Sequence, residues 1–416
     1  MSETWRRPEF VATIRSPTHR PNSTLSITDD KLARLRANTP ACSRLIHFNN
    51  AGASLMPDPV FEAIVGHLEL ERDIGGYEAA AARHDVLAGL YDRFADLFRV
   101  HRHEIAFIES ATRAWDMAFY ALPLQEGDRI ITHTAEYASN YLAFLQLAER
   151  RGVHIDIAPA DGSGQIDVDA LPGLLTPRTR VINLVHVPTQ GGLVNPAEEV
   201  GRFARENGLI YVLDACQSVG QLDVDVPKIG CHVLSGTGRK YLRGPRGTGF
   251  LYVSSEILER LDPPFIDMRA ATWTDKGSYE LAAGSQRFEN WESYVAGRIG
   301  LAAAVEYALE IGLPAIEERV THLAAQLRAG LERVDGISVA DLGERKCGIV
   351  TFASAREKPS ELARRLRQAH VNISVTERES ARLDFEERDI RALARASVHY
   401  FNTEAEIERF CSLLAP

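Results

Sequence analysis

An aspartate and a lysine stand at the ends of two apolar stretches of the sequence. Asp214 closes the stretch 209–213, and Lys240 follows the stretch 232–235 across a short Gly-rich segment. If both stretches are strands of one α/β sheet, their C-terminal ends meet at the edge where such sheets bind ligands. An aspartate at that edge can keep a pyridine nitrogen protonated, and a lysine can hold the same cofactor as a Schiff base.

Each of these two residues also has a simpler interpretation. Asp214 can cap the helix that follows it, which is a common position for aspartate, and a lone lysine is usually a solvated surface residue. The Gly-rich segment before Lys240 also resembles a phosphate-binding P-loop, but Tyr241 stands where that motif requires Ser or Thr. The placement of both residues at strand ends favours the cofactor interpretation.

A phosphate group attached to such a cofactor needs its own binding site. Residues 108–113 lie between a predicted strand and a predicted helix. The backbone N–H groups at the start of a helix bind anions, and a Ser or Thr hydroxyl beside them completes the site. Ser110 can cap the same helix, and this role is compatible with phosphate binding.

The cysteines give no sign of metal or disulfide chemistry. They are odd in number, scattered and never spaced as CxxC: Cys42, Cys216, Cys231, Cys347 and Cys411. We therefore expect neither a structural zinc nor a disulfide framework. No other residues form a metal-binding constellation, so we predict no metal site.

The chemistry-bearing residues lie in a region where strand-like and helix-like patterns alternate. Most predicted strands are apolar runs without alternation, which is typical of a parallel sheet covered by helices on both faces. The predicted strands are 104–108, 128–132, 154–158, 180–187, 209–213, 232–235 and 250–253, with helices at 111–121 and 141–151. The fold class is therefore α/β.

The pattern divides the chain into three parts. Residues 1–45 form an arm rich in Arg, Pro, Ser and Thr, with one short helix around 30–37. Residues 46–300 form a large α/β domain, and residues 301–416 form a small C-terminal α+β domain. The small domain is predicted to contain a helix at 314–334, strands at 348–353, 371–375 and 395–398, and a capping box from Thr403 to Glu406.

Composition narrows the classes of protein to which the chain can belong. Its 416 residues carry 47 Lys and Arg against 57 Asp and Glu, a net charge of −10, which disfavours a general nucleic-acid binder. No apolar run is long enough to span a membrane, and the first ten residues do not resemble a signal peptide. We expect a cytoplasmic protein with neither a membrane nor a nucleic-acid partner.

Taken together and in order, these motifs resemble those of the class V aminotransferase group of fold-type I pyridoxal-phosphate enzymes. This group includes cysteine desulfurases and selenocysteine lyases, and the resemblance runs from residue 48 to the C-terminus. It implies pyridoxal 5'-phosphate as the cofactor, Lys240 as the Schiff-base lysine and Asp214 as the partner of the pyridine nitrogen. It also implies that Gln217 reaches the phenolic oxygen of the cofactor.

The resemblance assigns further residues to the cofactor. Ala111 and Thr112 are expected to hold the phosphate, aided by Ser235. Tyr137 stands where an aromatic ring stacks on the cofactor, a position that is commonly His in the desulfurases. Thr189 falls where the family often has Asn near the substrate.

The resemblance also implies a substrate site and a second subunit. Arg395 is expected to pair with the substrate α-carboxylate, because planar bidentate pairing is what arginine supplies. On pattern alone, Arg395 is better explained as a surface charge. Asn50 is expected to lie in the substrate site. Active sites of this family form at a homodimer interface, so a homodimer is implied, and the arm 1–45 is a candidate to clasp the partner.

Three features of the sequence depart from the family pattern. Desulfurases need a loop cysteine that attacks the substrate sulfur, and residues 375–389 contain no cysteine. Arg239 stands where the family often has His before the Schiff-base lysine. Trp291 and Glu292 lie where the family contributes a small Thr to the neighbouring phosphate site. The first departure argues against a cysteine desulfurase.

The predicted reaction is β-elimination on a cysteine-derived substrate, giving a thiol or sulfenate, pyruvate and ammonia. An aminotransferase and an isopenicillin N epimerase-like racemase or epimerase are the alternatives. A non-catalytic pyridoxal-phosphate-binding protein is disfavoured because Lys240, Asp214 and Arg395 are all present.

Overall fold

The structure of the protein is a computed structural model that describes residues 26–415. The strands are β1 Ile46–His47, β2 Ile105–Ile108, β3 Arg129–His133, β4 His154–Ala158, β5 Thr179–Val185, β6 Ile210–Asp214, β7 Val233–Thr237, β8 Gly249–Val253, β9 Ala271–Asp275, β10 Ser278–Leu281, β11 Ile337–Val339, β12 Ile349–Ser354, β13 Val371–Asn372, β14 Ser374–Glu377 and β15 Ala392–Ser397. The helices are α1 Asp29–Ala37, α2 Asp58–Ile74, α3 Gly76–Ala82, α4 His84–Phe98, α5 Ala111–Tyr120, α6 Ala138–Arg151, α7 Ala197–Glu206, α8 Val226–Ile229, α9 Ser255–Leu258, α10 Val295–Ile311, α11 Leu313–Glu332, α12 Pro359–Gln368, α13 Arg382–Glu387 and α14 Glu404–Leu414.

A seven-stranded sheet in the order β2-β8-β7-β6-β5-β3-β4 forms the centre of the molecule. Only β8 runs antiparallel to its neighbours. Successive residues of each central strand face opposite sides of the sheet. In β6, Ile210 and Val212 pack with α5 and α6, whereas Tyr211 and Leu213 pack with α4, α7 and α10. Both faces are buried, so the strands are continuous apolar runs, and the predicted α/β class is confirmed.

A second, four-stranded antiparallel sheet has the order β11-β12-β15-β14. It packs against α11, α12 and α14 around a separate apolar core. Strand β1 pairs with β13, and Phe48 belongs to this core, so the chain just after residue 45 is tied to the C-terminal part. Residue 300 lies within α10, and the division into three parts at residues 45 and 300 stays a prediction.

Several elements differ from the sequence prediction. The predicted short arm helix corresponds to α1, whereas residues 1–25 of the arm, with their suggested contact to a partner, lie outside the described residues. The capping box is confirmed, since Thr403 Oγ1 accepts from the Glu406 N–H at 3.2 Å. The strand predicted at 371–375 is two strands, β13 and β14, because the chain leaves one pairing partner at Ile373 for another. Helices α2–α4 and the hairpin β9–β10 were not predicted.

Helices α10 and α11 bear on the question of a membrane span. Within residues 26–415, no single helix is both long and apolar enough to cross a membrane. Taken as a pair, α10 and α11 reach that length and composition, but they are bent by 81° relative to each other.

Candidate active site

A cavity opens at the C-terminal edge of the seven-stranded sheet. It is lined by residues from the ends of β5, β6 and β7 and from the starts of α5 and α6: Ser110, Ala111, Thr112, Tyr137, Asn140, Val185, Val187, Thr189, Asp214, Cys216, Gln217, Thr237, Arg239 and Lys240. Seven residues to which the family resemblance assigns a role therefore meet at one place: Ala111, Thr112, Tyr137, Thr189, Asp214, Gln217 and Lys240. Parallel strands bring their ends together at this edge, which is why residues far apart in the chain converge here.

Asp214 is the last residue of β6, and its carboxylate is buried and held at both oxygens. Its Oδ1 accepts from the Cys216 N–H at 2.9 Å, and its Oδ2 accepts from Asn140 Nδ2 at 3.0 Å. The next helix, α8, begins only at Val226 and is capped by Asp225. The helix-cap interpretation of Asp214 is therefore wrong, and its carboxylate faces the cavity instead.

Lys240 follows β7 and lies half-buried at the cavity wall. Burial is the main cause that lowers the pKa of the Lys240 amine, and the nearby guanidinium groups of Arg239 and Arg395 lower it further. No carboxylate of the described chain forms an ion pair with it. A lysine with a lowered pKa is more often neutral, and a neutral amine is the form that acts as nucleophile and base.

The start of α5 forms one end of the cavity. Ser110 caps this helix, with its Oγ accepting from the Arg113 N–H at 3.2 Å, and the first-turn residues Ala111 and Thr112 line the cavity. A Cβ added at Gly249 would lie 2.7 Å from the Ser110 carbonyl carbon, so glycine is needed for β8 to pass this close. The arrangement combines helix N-terminal amides with a hydroxyl, as anion sites do.

The hydroxyl from β7 that lines this cavity is not the one predicted. Thr237 lines it, and its Oγ1 donates to the Thr248 carbonyl at 3.1 Å. Ser235 lies two residues earlier on the same face of β7, paired in register with Asp214. Its Oγ is buried and has no hydrogen-bond partner within residues 26–415.

Arg395 of β15 is not one of the cavity-lining residues, but it contacts one of them, Thr189. Its Nη1 donates to the carbonyl and to Oγ1 of Thr189, both at 2.8 Å, and its Nε donates to Ser374 Oγ at 3.0 Å. Burial lowers the pKa of Arg395 to about 10, so the group stays charged at neutral pH. Because no carboxylate in residues 26–415 pairs with it, this buried cation is short of an anion.

The structure places Asn50 differently from the prediction. Its Nδ2 donates to the Ser397 carbonyl at 2.7 Å and to the His47 carbonyl at 3.2 Å, and its Oδ1 accepts from Ser54 Oγ at 2.7 Å. These bonds hold the segment that follows β1 against β15. Asn50 is fully buried and is not one of the cavity-lining residues.

The segment 375–389, which lacks a cysteine, is folded against the neighbourhood of the cavity. It contains most of β14 and all of α13, and Phe385 of α13 is fully buried. Gln190 Nε2, next to Thr189 in the chain, donates to Asp384 Oδ2 at 3.2 Å. Cys216 is the cysteine that lines the cavity, and burial raises the pKa of its thiol.

Four polar side chains at the cavity were not assigned roles from the sequence: Asn140, Cys216, Thr237 and Arg239. Each lies within a segment already recognised as functional. Asn140 stands four residues after Glu136, which precedes α6, and its Nδ2 donates to Glu136 Oε1 at 3.0 Å. That spacing is the signal by which the sequence could have revealed it.

Comparison with known proteins identifies the family. The aminotransferase class-V family model matches residues 46–410. The chain belongs to this family. A probable cysteine desulfurase of Xylella fastidiosa is 32% identical over 400 residues, covering 92% of this chain and 94% of the relative. A probable cysteine desulfurase of Pyrococcus abyssi is 29% identical over 391 residues, covering 91% and 96%.

Solved structures show the same fold. The apo cysteine desulfurase from Thermococcus onnurineus NA1 superimposes with a TM-score of 0.85 at 26% identity, covering 92% of this chain and 96% of that one. The cystine C-S lyase C-DES, in complex with cysteine persulfide, gives a TM-score of 0.82 at 22% identity, covering 91% and 100%. At that identity the second likeness concerns the fold alone. The predicted fold type I is confirmed.

The cofactor of this family is pyridoxal 5'-phosphate, and the residues at the cavity fit it. Gln217, a cavity-lining residue, donates from Nε2 to the Ala51 carbonyl at 3.1 Å, but its Oε1 is buried without a partner in the described chain. Buried polar groups left unpaired are costly unless a ligand or water completes them. The first turn of α5, the Asp214 carboxylate and the Lys240 amine supply the donor, acceptor and nucleophile that a phosphorylated pyridine aldehyde requires.

Proposed function

We propose that this class V enzyme is a C–S lyase that cleaves a cysteine-derived substrate to a thiol or sulfenate, pyruvate and ammonia. The proposal is carried by Lys240 and Asp214, which line one cavity, and by Arg395, which contacts the lining residue Thr189 and has no carboxylate partner in residues 26–415. The neighbouring segment 375–389 has no cysteine. The relatives named cysteine desulfurases support chemistry at the C–S bond of cysteine.

The proposed roles of the residues follow from their positions. Bound pyridoxal phosphate supplies an electron sink for the negative charge that develops at the substrate Cα. Asp214 keeps the pyridine nitrogen protonated, and Arg395 binds the substrate α-carboxylate. The Lys240 amine removes the Cα proton. The first turn of α5, with Thr112 and with Thr237 in the place predicted for Ser235, holds the phosphate.

The cysteines favour a lyase over a desulfurase. A desulfurase transfers sulfur to a nucleophilic thiolate, and a thiolate forms readily only where the thiol pKa is lowered. Residues 375–389 supply no thiol, and burial raises the pKa of Cys216 instead. We therefore expect the substrate sulfur to be released in the thiol or sulfenate product rather than to be transferred to a cysteine of the protein.

Product analysis tests the proposal. We expect the purified, cofactor-loaded protein to convert an S-alkyl cysteine to pyruvate, ammonia and free thiol in equal amounts, measured enzymatically and with a thiol reagent. Equal amounts are expected because one β-elimination releases one of each. A sulfur-bearing keto acid would instead identify an aminotransferase. Exchange of the Cα hydrogen with deuterium, without cleavage, would identify a racemase or epimerase.

We also propose that the protein is a homodimer, as the family resemblance implies. Large apolar side chains are exposed on and around the hairpin β9–β10, where Trp273 is 79% and Met268 is 76% exposed; the others are Phe265, Ile266, Tyr279, Trp291 and Tyr294. Apolar patches of this kind mark interaction sites. A second copy of the chain is the occupant that the family suggests, with Trp291 and Glu292 beside the interface.

Changing the hairpin tests this interface. We expect Trp273→Asp combined with Tyr279→Asp to convert the dimer to monomers, because two charges would have to be buried without partners. Sedimentation analysis should then give the 46.1 kDa chain mass in place of twice that value. The control is Lys228→Asp on the exposed side of α8, which should leave the dimer intact. A monomeric wild-type protein would contradict the proposal.

A further inference from the structure

The Asp214 carboxylate is the end of a buried chain of hydrogen bonds. Asn140 Nδ2 donates both to Asp214 Oδ2 and to Glu136 Oε1, each at 3.0 Å. All three side chains are almost fully buried. The amide of Asn140 therefore links the residue that faces the cavity to a second acidic residue behind it.

The two carboxylates fix the orientation of the Asn140 amide. An amide NH2 group has two hydrogens, and each is used by one carboxylate oxygen. The reversed orientation would place the amide oxygen against two acceptors and would lose both bonds. The oxygen Oδ2 of Asp214 is consequently held in one position.

Glu136 is itself anchored to three elements of the fold. Its Oε2 accepts from Thr132 Oγ1 of β3 and from Asn183 Nδ2 of β5, both at 2.6 Å, and its Oε1 accepts from the Tyr137 N–H at 2.8 Å. Asn183 is fixed in turn, because its Oδ1 accepts from Trp115 Nε1 at 3.3 Å. The chain of bonds thus starts from rigid, buried parts of the central sheet.

Two buried acids share this network without a basic partner. In the described chain neither Glu136 nor Asp214 forms an ion pair with a Lys, Arg or His side chain. Burial raises the pKa of Glu136 to about 7, with donors opposing the shift and Asp214 adding to it. Two buried carboxylates that form no ion pair in the described chain favour a ligand that brings positive charge to them.

We propose that Asn140 and Glu136 are positioning residues, which hold the Asp214 carboxylate so that it keeps the pyridine nitrogen of the cofactor protonated. The inference rests on the role proposed above for Asp214. Asn140 lines the cavity, but both hydrogens of its amide are used by Glu136 and Asp214, so we expect its effect on the cofactor to pass through Asp214. Removing them should therefore change the bound cofactor before any substrate is added.

The test measures the cofactor in the resting holoenzyme. We expect Asn140→Ala to weaken binding of pyridoxal 5'-phosphate by about 10-fold, because a hydrogen bond to a charged group is lost. Titration of the cofactor-free protein, followed by absorbance, measures this change. With 15N-labelled cofactor, the NMR shift of the ring nitrogen should move toward its unprotonated value. Glu136→Gln keeps the shape of the side chain and should give a smaller change in the same direction.

Three comparisons make the result decisive. Ser139→Ala, a half-buried neighbour of Asn140 on α6, should leave affinity and NMR shift unchanged. Asp214→Asn should change the NMR shift of the ring nitrogen more than Asn140→Ala does.

The outcomes separate the two proposals. If Asp214→Asn changes the NMR shift of the ring nitrogen but Asn140→Ala and Glu136→Gln do not, the positioning role is wrong. If Asp214→Asn leaves the NMR shift of the ring nitrogen unchanged, the role proposed for Asp214 itself is wrong, and the positioning role is wrong with it. Glu136→Gln preserves packing, so it decides the question even if Asn140→Ala does not fold.

Discussion

Lys240→Ala is expected to lower kcat/KM for C–S cleavage by about 10³-fold, measured as the rate of pyruvate release. Positioned proton transfer contributes about 10²–10⁴-fold, and the cavity offers no substitute for this base. Lys240 is the only lysine among the lining residues, and no histidine lies among them. Arg239 beside it cannot serve, since a guanidinium stays protonated. Burial lowers the pKa of the Lys240 amine, a shift that favours the neutral form a base requires.

The control for this experiment is Lys228→Ala, which removes an exposed lysine of α8 and should leave the rate unchanged. Lys240→Arg keeps the positive charge without a usable base, so it should be as inactive as the alanine variant. Because Lys240 forms no ion pair in residues 26–415, its removal leaves no buried carboxylate unpaired, and the unfolding temperature should change little. A Lys240→Ala enzyme with more than a tenth of the wild-type rate would overturn the assignment.

The sequence was sufficient to locate Asp214 and Lys240 because both positions depend on local features. An apolar run predicts a buried strand, and the end of a parallel strand has a known place in the sheet. The same reasoning led to the proposed phosphate site at the start of α5. It assigned Ser235 and missed Thr237, which lies two residues later and so faces the same side of the strand. The predicted strand stopped at residue 235, whereas β7 continues to Thr237.

The burial of Asn50 depends on residues far away in the sequence. Its environment is set by the bridge between Asn49 and Ser397, residues that lie almost a whole chain apart. The buried Asn50 amide then bonds to the Ser397 carbonyl. No pattern within residues 46–54 can specify a partner so distant in the sequence, so its burial behind the cavity wall appears only in three dimensions.

The segment 375–389 gives a further contrast between composition and structure. Its lack of cysteine is read directly from the sequence. Its conformation depends on long-range packing, since Phe385 is buried and Asp384 accepts from Gln190. Phe385 is flanked by charged residues, so the sequence around it shows no apolar pattern that would indicate a buried helix, and α13 was not predicted.

Arg395→Lys is expected to raise KM for an S-alkyl cysteine by about 10- to 100-fold with a smaller change in kcat. A lysine keeps the charge but loses the planar pair of N–H donors that matches a carboxylate. Hydrogen bonds to charged groups are worth about 1.5–3 kcal/mol, which corresponds to this range. Steady-state kinetics of pyruvate release provide the measurement. The matched control is Arg391→Lys, which changes an exposed arginine just before β15 and should leave KM unchanged.

An analogue without a carboxylate shows whether Arg395 contacts that group. The S-alkyl cysteamine lacks the α-carboxylate, so the wild-type enzyme should bind it more weakly than the matching S-alkyl cysteine. In Arg395→Lys that difference should largely disappear, because the two changes remove the same contact and their effects do not add. If the variant still prefers the carboxylate-bearing compound by the wild-type factor, Arg395 does not bind the carboxylate. Its contacts with Thr189 and Ser374 would then be structural.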